Sequence, residues 1–351
     1  MYPVIVLLLL LSLCSPSFAE KIYVVERERE ALSVIEDGKI KGEIAGLGNL
    51  NHATVKFNGD FAYVVGRDGF LSKIDTKADR LIKRINVGHS SIGFTFCKGI
   101  IAVANYSPKD VVILDEALNI LKKIETGSRN VGIKCHDNLL IFSLMDRDEI
   151  WIHDCDRGVE NVKVFKTKGE MPFDALLHGG VYVAGFFKGG VGIVDLVGSK
   201  YTEKVIKAGG EITFKIPHFG TWGVVGKRAF IPAVGERRLH IIGMKDFAHQ
   251  GSVDLIGIPV FASVSPDGNQ IAVNYSGDKE DFISIIDVEN NRVLKDIEIG
   301  KRIMHIRFSN NSKRLYASSY FENKVKVLDT DNWKVTGAVD VPTPSGIFIM
   351  R

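Results

Sequence analysis

Ala102-Val103-Ala104-Asn105-Tyr106-Ser107-Pro108-Lys109-Asp110-Val111-Val112-Ile113-Leu114-Asp115 decides the fold. Two short apolar, β-branched runs, Ala102 to Tyr106 and Val111 to Leu114, flank a turn that contains proline. That is the pattern of two half-buried antiparallel strands. The same pairing returns at Tyr182 to Gly185 with Val191 to Val194. No sustained helical period follows residue 20.

Outward from this hairpin the chain repeats. A glycine closes an apolar stretch at Gly48, Gly88, Gly127, Gly169, Gly209, Gly257 and Gly300, and Pro342 takes the last equivalent place. The spacing of about 40 residues is that of propeller blades. An aspartate ends a β-rich run at Asp75, Asp115, Asp154, Asp195, Asp287 and Asp329. A carboxylate there can accept from the next backbone amides and start a turn, so these aspartates are read as structural.

Seven units are complete, at 51–88, 89–127, 128–169, 170–209, 210–257, 258–300 and 301–342. The first, at 21–48, has only three strands. The run Gly346-Ile347-Phe348-Ile349-Met350 can supply the fourth. The fold class is therefore all-β: an eight-bladed β-propeller closed by the C-terminal strand joining the first blade. Closure removes the free edges of a linear array.

Val4 to Leu13 is an apolar run interrupted only by Ser12, too short to cross a bilayer as a helix. Ser17-Phe18-Ala19 fits a small-x-small cleavage site. Residues 1–19 are read as a signal peptide and 20–351 as the propeller domain, exported to the periplasm. Lipidation of Cys14 would add a membrane attachment, although Leu13 stands where lipoprotein signals carry a small residue. Beyond the signal only Cys97, Cys135 and Cys155 remain. An odd number cannot pair fully within one chain, and buried free thiols are expected at Cys97 and Cys135. No C-x-x-C-H motif or zinc-ligand spacing is present. A net charge of +3 carries no concentrated basic face, which argues against nucleic-acid binding.

In a propeller, function sits on the rims of the central channel, at the starts of the innermost strands. Those positions include His52, His89, Arg129, Phe173, Pro259, Phe261 and His305, with Met171 and Met304 beside them. The sixth unit is the longest and carries Pro217-His218-Phe219-Gly220-Thr221-Trp222. Aromatic, methionine and histidine side chains on one rim suit a flat apolar ligand with polar edges. Imidazole is a good iron ligand, and arginine pairs with carboxylates through its planar fork. The remaining histidines, His136, His153, His178, His240 and His249, fall at turns or strand ends away from this rim.

Asn51-His52-Ala53 begins a strand, and Phe61-Ala62-Tyr63-Val64-Val65-Gly66-Arg67-Asp68-Gly69 and Ile74-Asp75 follow. This resembles the opening of the heme d1 domain of cytochrome-type nitrite reductase. There a histidine starts an inner strand as the axial iron ligand, and a Gly-Arg-Asp-Gly hairpin follows. Asn105-Tyr106-Ser107-Pro108 resembles the reductase segment in which a tyrosine approaches the heme carboxylates. Pro217-His218-Phe219-Gly220 resembles the region of a distal histidine, and Val341-Pro342-Thr343-Pro344-Ser345-Gly346 the closing segment. The order is kept over essentially the whole chain after residue 19.

The departures are specific. No c-type cytochrome domain accompanies this propeller. Phe261-Ala262-Ser263-Val264-Ser265-Pro266 lacks the second distal histidine, and Val55 stands where the reductase has an arginine. A stand-alone exported propeller of this length is similar to the NirF family of late heme d1 biosynthesis. The resemblance implies non-covalent binding of heme d1 or a precursor. His52 would be the iron ligand, His218 the distal catalytic group, and Tyr106, Arg129 and Arg67 cofactor-binding residues. Implied partners are the nitrite reductase, other heme d1 maturation proteins and a second copy in a homodimer.

Three readings stay open. The propeller modifies the tetrapyrrole, or it only carries it to a partner, or it is a heme-free repeat used for protein binding. A metal-dependent propeller hydrolase would need carboxylates at the inner-strand starts, and few are present there.

Overall fold

The computed structural model describes residues 20–157, 161–169, 171–187, 189–205, 207–208, 212–213, 222–233 and 235–350. The expected signal peptide, with Cys14, lies outside the described residues. Eight four-stranded antiparallel sheets make up the blades, and a two-stranded ribbon pairs Lys207–Ala208 with Ile212–Thr213. The fold class read from the repeat is the one observed. Helix is confined, among the described residues, to short 3-10 turns such as Arg27–Arg29 and Gly277–Lys279.

Blade 1 is the composite one. Its strands Lys21–Glu26, Ala31–Glu36 and Lys39–Ile44 come from the start of the chain. Its innermost strand, Pro344–Ile349, comes from the end. The seam pairs Ile22 with Ile349, Tyr23 with Phe348 and Val24 with Ile347. The other innermost strands are Thr54–Asn58, Ser90–Cys97, Asn130–His136, Pro172–His178, Gly223–Val225, Ile258–Val264 and Ile303–Phe308, for blades 2 to 8.

The core lies in the seams between blades, because each sheet has two apolar faces. Ile22 and Val24 pack on Tyr316 and Val325 of blade 8. Their neighbours Tyr23 and Val25 pack on Val55, Ala62 and Val64 of blade 2. Alternation with period two thus feeds two seams from one strand. One apolar cluster fills each of the eight seams, which is what a closed ring requires.

The repeated aspartates act as turn formers. Asp75 Oδ1 accepts from the amides of Lys77 and Ala78 at 2.9 and 3.0 Å. Asp195 serves Val197 and Gly198, and Asp287 serves Glu289 and Asn290, in the same way.

The cysteines depart from expectation. Cys97 and Cys135 are joined in a disulfide, and among the described residues Cys155 is left as a free thiol. Cys97 ends the inner strand of blade 3, and Cys135 occupies nearly the same place in blade 4. Their sequence separation of 38 is one repeat, so the seam brings the two Cα atoms to 5.5 Å. Each strand read alone looks like a site for a buried apolar thiol, and only the packing of neighbouring blades makes the pair.

Candidate functional site

One face of the ring carries the starts of the innermost strands together with the turns between second and third strands. The turn Gly66-Arg67-Asp68-Gly69 joins Phe61–Val65 to Phe70–Asp75. Arg67 N donates to the Asn49 carbonyl at 2.8 Å, which ties this turn to the loop carrying His52. His52 is exposed on a tight turn, with φ +59°. Ala53 N closes that turn on the Leu50 carbonyl at 3.0 Å.

The Arg67 guanidinium lies over the Tyr106 ring, 5.0 Å from its centroid. A cation on an aromatic face is a favourable contact that leaves the N–H groups in the guanidinium plane uncommitted. Arg67 Nη1 is buried and has no hydrogen-bond partner among the described residues. A buried unpaired donor costs free energy, so this nitrogen is available to an acceptor from water or a ligand.

Tyr106 is half-buried at the end of its strand and packs on an apolar cluster built from Val131, Met145 and Phe173, with Met171 and Phe187 alongside. Phe173 and Phe187 meet edge to face at 4.8 Å. Burial pushes the Tyr106 hydroxyl's pKa up, while Arg67 and Arg129 pull it down. The phenol is therefore a neutral hydroxyl facing two guanidinium groups.

Arg129 stands at the start of blade 4. Its Nε and Nη2 donate to Asp146 Oδ1 at 3.0 and 2.6 Å, and its backbone N donates to Oδ2 at 2.9 Å. Lys109 Nζ adds a contact to Asp146 Oδ2 at 3.0 Å. The Arg129 guanidinium, ahead of the other contacts, holds the Asp146 carboxyl far below the usual range. Arg129 is thus half-exposed and clamped by Asp146.

Three of the five residues predicted from sequence, Arg67, Tyr106 and Arg129, meet at the seams of blades 2, 3 and 4. His52 stands on the same face, on a loop bonded to the Arg67 turn. His218 lies outside the described residues. Asp174 makes its Oδ1 an acceptor for the amide of Ala175 at 2.8 Å, and its charge reaches Tyr106.

His305 is not on the open rim. It is buried in the channel wall, edge-on to Phe261 at 5.0 Å and stacked on Phe348 at 5.9 Å. Its Nδ1 accepts from Ile347 N at 3.2 Å. Burial, and then the charge of Arg307, push its pKa well below the ordinary value. It is a neutral structural histidine of the closing seam. Because the unfolded chain binds this proton more readily, the contribution of His305 is full above about pH 6.5 and is lost as pH falls below it. The unfolding free energy in urea should therefore drop between pH 7.5 and 5.5, by up to about 1.4 kcal/mol per pH unit for this one group. In His305→Asn that slope should flatten, and an unchanged slope would assign the acid sensitivity to other groups.

Two features of the site were not read from the sequence. Asp146, the counter-ion of Arg129, sits in the turn of blade 4 that corresponds to the Arg67 turn of blade 2. Lys56, on the inner strand of blade 2, reaches the Phe94 carbonyl and the face of the Phe94 ring. Burial, and then the nearby charge of Lys134, push its amine down to about 7. In an inner strand the polar alternate faces the channel rather than bulk water, and a strand pattern by itself does not separate the two.

The residues present fit a flat apolar ligand with carboxylate edges: an aromatic and methionine floor, an unpaired guanidinium nitrogen, a neutral phenol and a clamped arginine. Residues 19–351 match the family described as the cytochrome D1 heme domain. The chain is 33% identical to protein NirF of Stutzerimonas stutzeri, over 93% of this chain and 90% of that protein. It is 32% identical to protein NirF of Pseudomonas aeruginosa, over 92% and 89%. Among solved structures, the dihydro-heme d1 dehydrogenase NirN in complex with DHE superposes with a TM-score of 0.83 at 17% identity, over 93% of this chain and 74% of that one. Apo AztD of Citrobacter koseri superposes with a TM-score of 0.73 at 16% identity, over 95% and 98%. Those two likenesses speak for the fold. Sequence identity over nearly the full length, joined to the family match, makes this chain a member of the cytochrome d1 heme-domain family, of the NirF type.

Proposed function

We propose that this chain binds heme d1, or a precursor of it, on the rim formed by blades 2, 3 and 4, and serves late heme d1 biosynthesis. The observation that carries the reading is the buried, unpaired Nη1 of Arg67, held on Tyr106 beside the Met145–Phe173 cluster. Arg67 and Arg129 would take ligand carboxylates, and the Tyr106 hydroxyl would donate a hydrogen bond to the same groups. His52 would supply an imidazole to the iron. The bound macrocycle contributes the metal and the conjugated system. The chain's own residues orient it, shield one face from water and set the charge along its edge. His218 is proposed as the distal group, a neutral imidazole suited to moving a proton. Export to the periplasm is supported by the Cys97–Cys135 disulfide, which persists in oxidising compartments. Delivery of the ring to the nitrite reductase is the step this role would serve.

The test is an optical titration of the mature protein with heme d1, beside His52→Ala and Arg67→Met. Wild type should give a spectral shift. His52→Ala should lose its ligand-dependent signature. Arg67→Met should keep the signature but bind roughly tenfold to a hundredfold more weakly, as loss of a charge-assisted hydrogen bond predicts. An unchanged spectrum and affinity in His52→Ala would sink the iron-ligand assignment. No shift in wild type would leave a heme-free propeller. Mass analysis of the tetrapyrrole before and after incubation separates a modifying enzyme from a carrier.

A further inference from the structure

Cys97, Cys135 and Cys155 meet on the face opposite the proposed tetrapyrrole rim. Cys97 is almost fully buried and bonded to Cys135. Cys155 follows the third strand of blade 4, Glu149–Asp154, and its Sγ lies 3.9 Å from Cys97 Sγ. Its backbone is fixed, since Cys155 N donates to the Asn138 carbonyl at 2.9 Å. A free thiol is thus held in contact with one sulfur of a disulfide, and that sulfur is shielded from thiols outside the protein. Cys135 and Cys155 are both half-buried, so either can carry the free thiol without opening the core.

We propose that Cys97, Cys135 and Cys155 form a thiol–disulfide exchange site, with Cys97 the shared sulfur. The Cys155 thiolate attacks Cys97 Sγ, the Cys97–Cys155 bond forms and the Cys97–Cys135 bond breaks. Cys135 leaves as the thiolate and takes up the proton that Cys155 gave up. One disulfide and one thiol are present before and after, so no oxidant or reductant is needed. Cys135 and Cys155 both belong to blade 4, and Cys97 to blade 3. Either pairing therefore clamps the same seam, and the exchange moves the reactive thiol rather than loosening the ring. The thiol that emerges at Cys135 is the group that another molecule's disulfide would meet.

The surroundings set its pH dependence. Burial, ahead of the neighbouring Asp154 and Asp156, pushes the Cys155 thiol up, and Lys98 pulls it down. Lys98 is itself paired with Asp156 at 2.7 Å, and Asp137 acts on it as well. The thiolate is scarce at neutral pH, so the exchange should speed up as pH rises through and beyond the ordinary thiol range.

Disulfide mapping by mass spectrometry of non-reduced peptides tests this. Wild-type protein is held at pH 8, alkylated with iodoacetamide and digested in acid. Both the Cys97–Cys135 and the Cys97–Cys155 peptides should appear, with label divided between Cys155 and Cys135. In Cys155→Ser only Cys97–Cys135 should remain. In Cys135→Ser, Cys97 should pair with Cys155, and the melting temperature should stay near wild type because the seam is still clamped. Label confined to Cys155 in wild type, with Cys97 and Cys155 both reduced in a folded Cys135→Ser, would overturn the site.

Discussion

Deleting residues 344–351 should leave a protein that does not melt cooperatively. The lost strand, Pro344–Ile349, is the innermost strand of blade 1 and the only contribution of the chain's end to that sheet. Ile347 is fully buried against Ile22, Val24, Tyr316 and Val341. Ile347 N donates to His305, and Phe348 stacks on the same ring. Truncating one such buried isoleucine to alanine costs about 2–5 kcal/mol. Removing the strand takes away that side chain, its neighbours and the ladder to Lys21–Glu26, leaving an open inner edge on blade 1. The combined loss is of the size of a domain's whole stability, about 5–15 kcal/mol. The deletion should give insoluble or loosely packed protein. Ile347→Ala should stay folded but lose about 2–5 kcal/mol in urea. A deletion mutant that melts like wild type would show that the ring is held shut by something other than this strand.

The closure was legible in the sequence because the repeat counts strands. Blade 1 lacks one, and the last residues carry a fitting apolar run. The turn aspartates were legible for the same reason, since their carboxylates accept from amides within four residues of their own position. What the repeat hides is contact across a seam. Cys97 and Cys135 look like buried thiols because each strand is apolar, whereas their pairing depends on two equivalent positions one blade apart. Arg67 is placed among the cofactor-binding residues by the resemblance alone, since its Gly-Arg-Asp-Gly turn says nothing local about a ligand. Its stacking on Tyr106 appears only when blades 2 and 3 are packed. Asp146 has no signal in the sequence because an aspartate in a turn has an ordinary local explanation, and its bonds to the Arg129 side chain and backbone span a turn and a strand start. His305 shows the opposite error: the start of an inner strand suggested an open rim, but flanking aromatic side chains cover it. The family resemblance singled out His52, Tyr106, Arg129 and Arg67, and the blade seams account for how Arg67 and Tyr106 come into contact.

The second large effect concerns the seam beneath Arg67. Gly69→Ala should cost several kcal/mol and weaken tetrapyrrole binding together. Gly69 sits at φ +80°, a conformation that disfavours any side chain. A Cβ there would lie 2.1 Å from the Gly88 carbonyl oxygen and 2.8 Å from His89 N. Both are backbone atoms, and they cannot turn aside as a flexible side chain can. The contact is close because Val87 N donates to the Gly69 carbonyl at 2.8 Å, so the crossover from blade 2 to blade 3 is laced to the turn. Relief of the clash must therefore shift the turn that carries Arg67, or the crossover leading into blade 3, which carries Tyr106. Either shift moves the guanidinium relative to the phenol ring. Gly99→Ala is the control: Gly99 also has a positive φ, of +77°, but a Cβ there meets nothing within 4 Å. It should cost only the backbone term, about 1 kcal/mol, and leave heme d1 binding as in wild type. If Gly69→Ala loses stability yet binds heme d1 with wild-type affinity, Arg67 is not the group that holds the ligand. If it loses both while Gly99→Ala loses only the backbone term and no binding, the blade 2–3 seam is what positions the site.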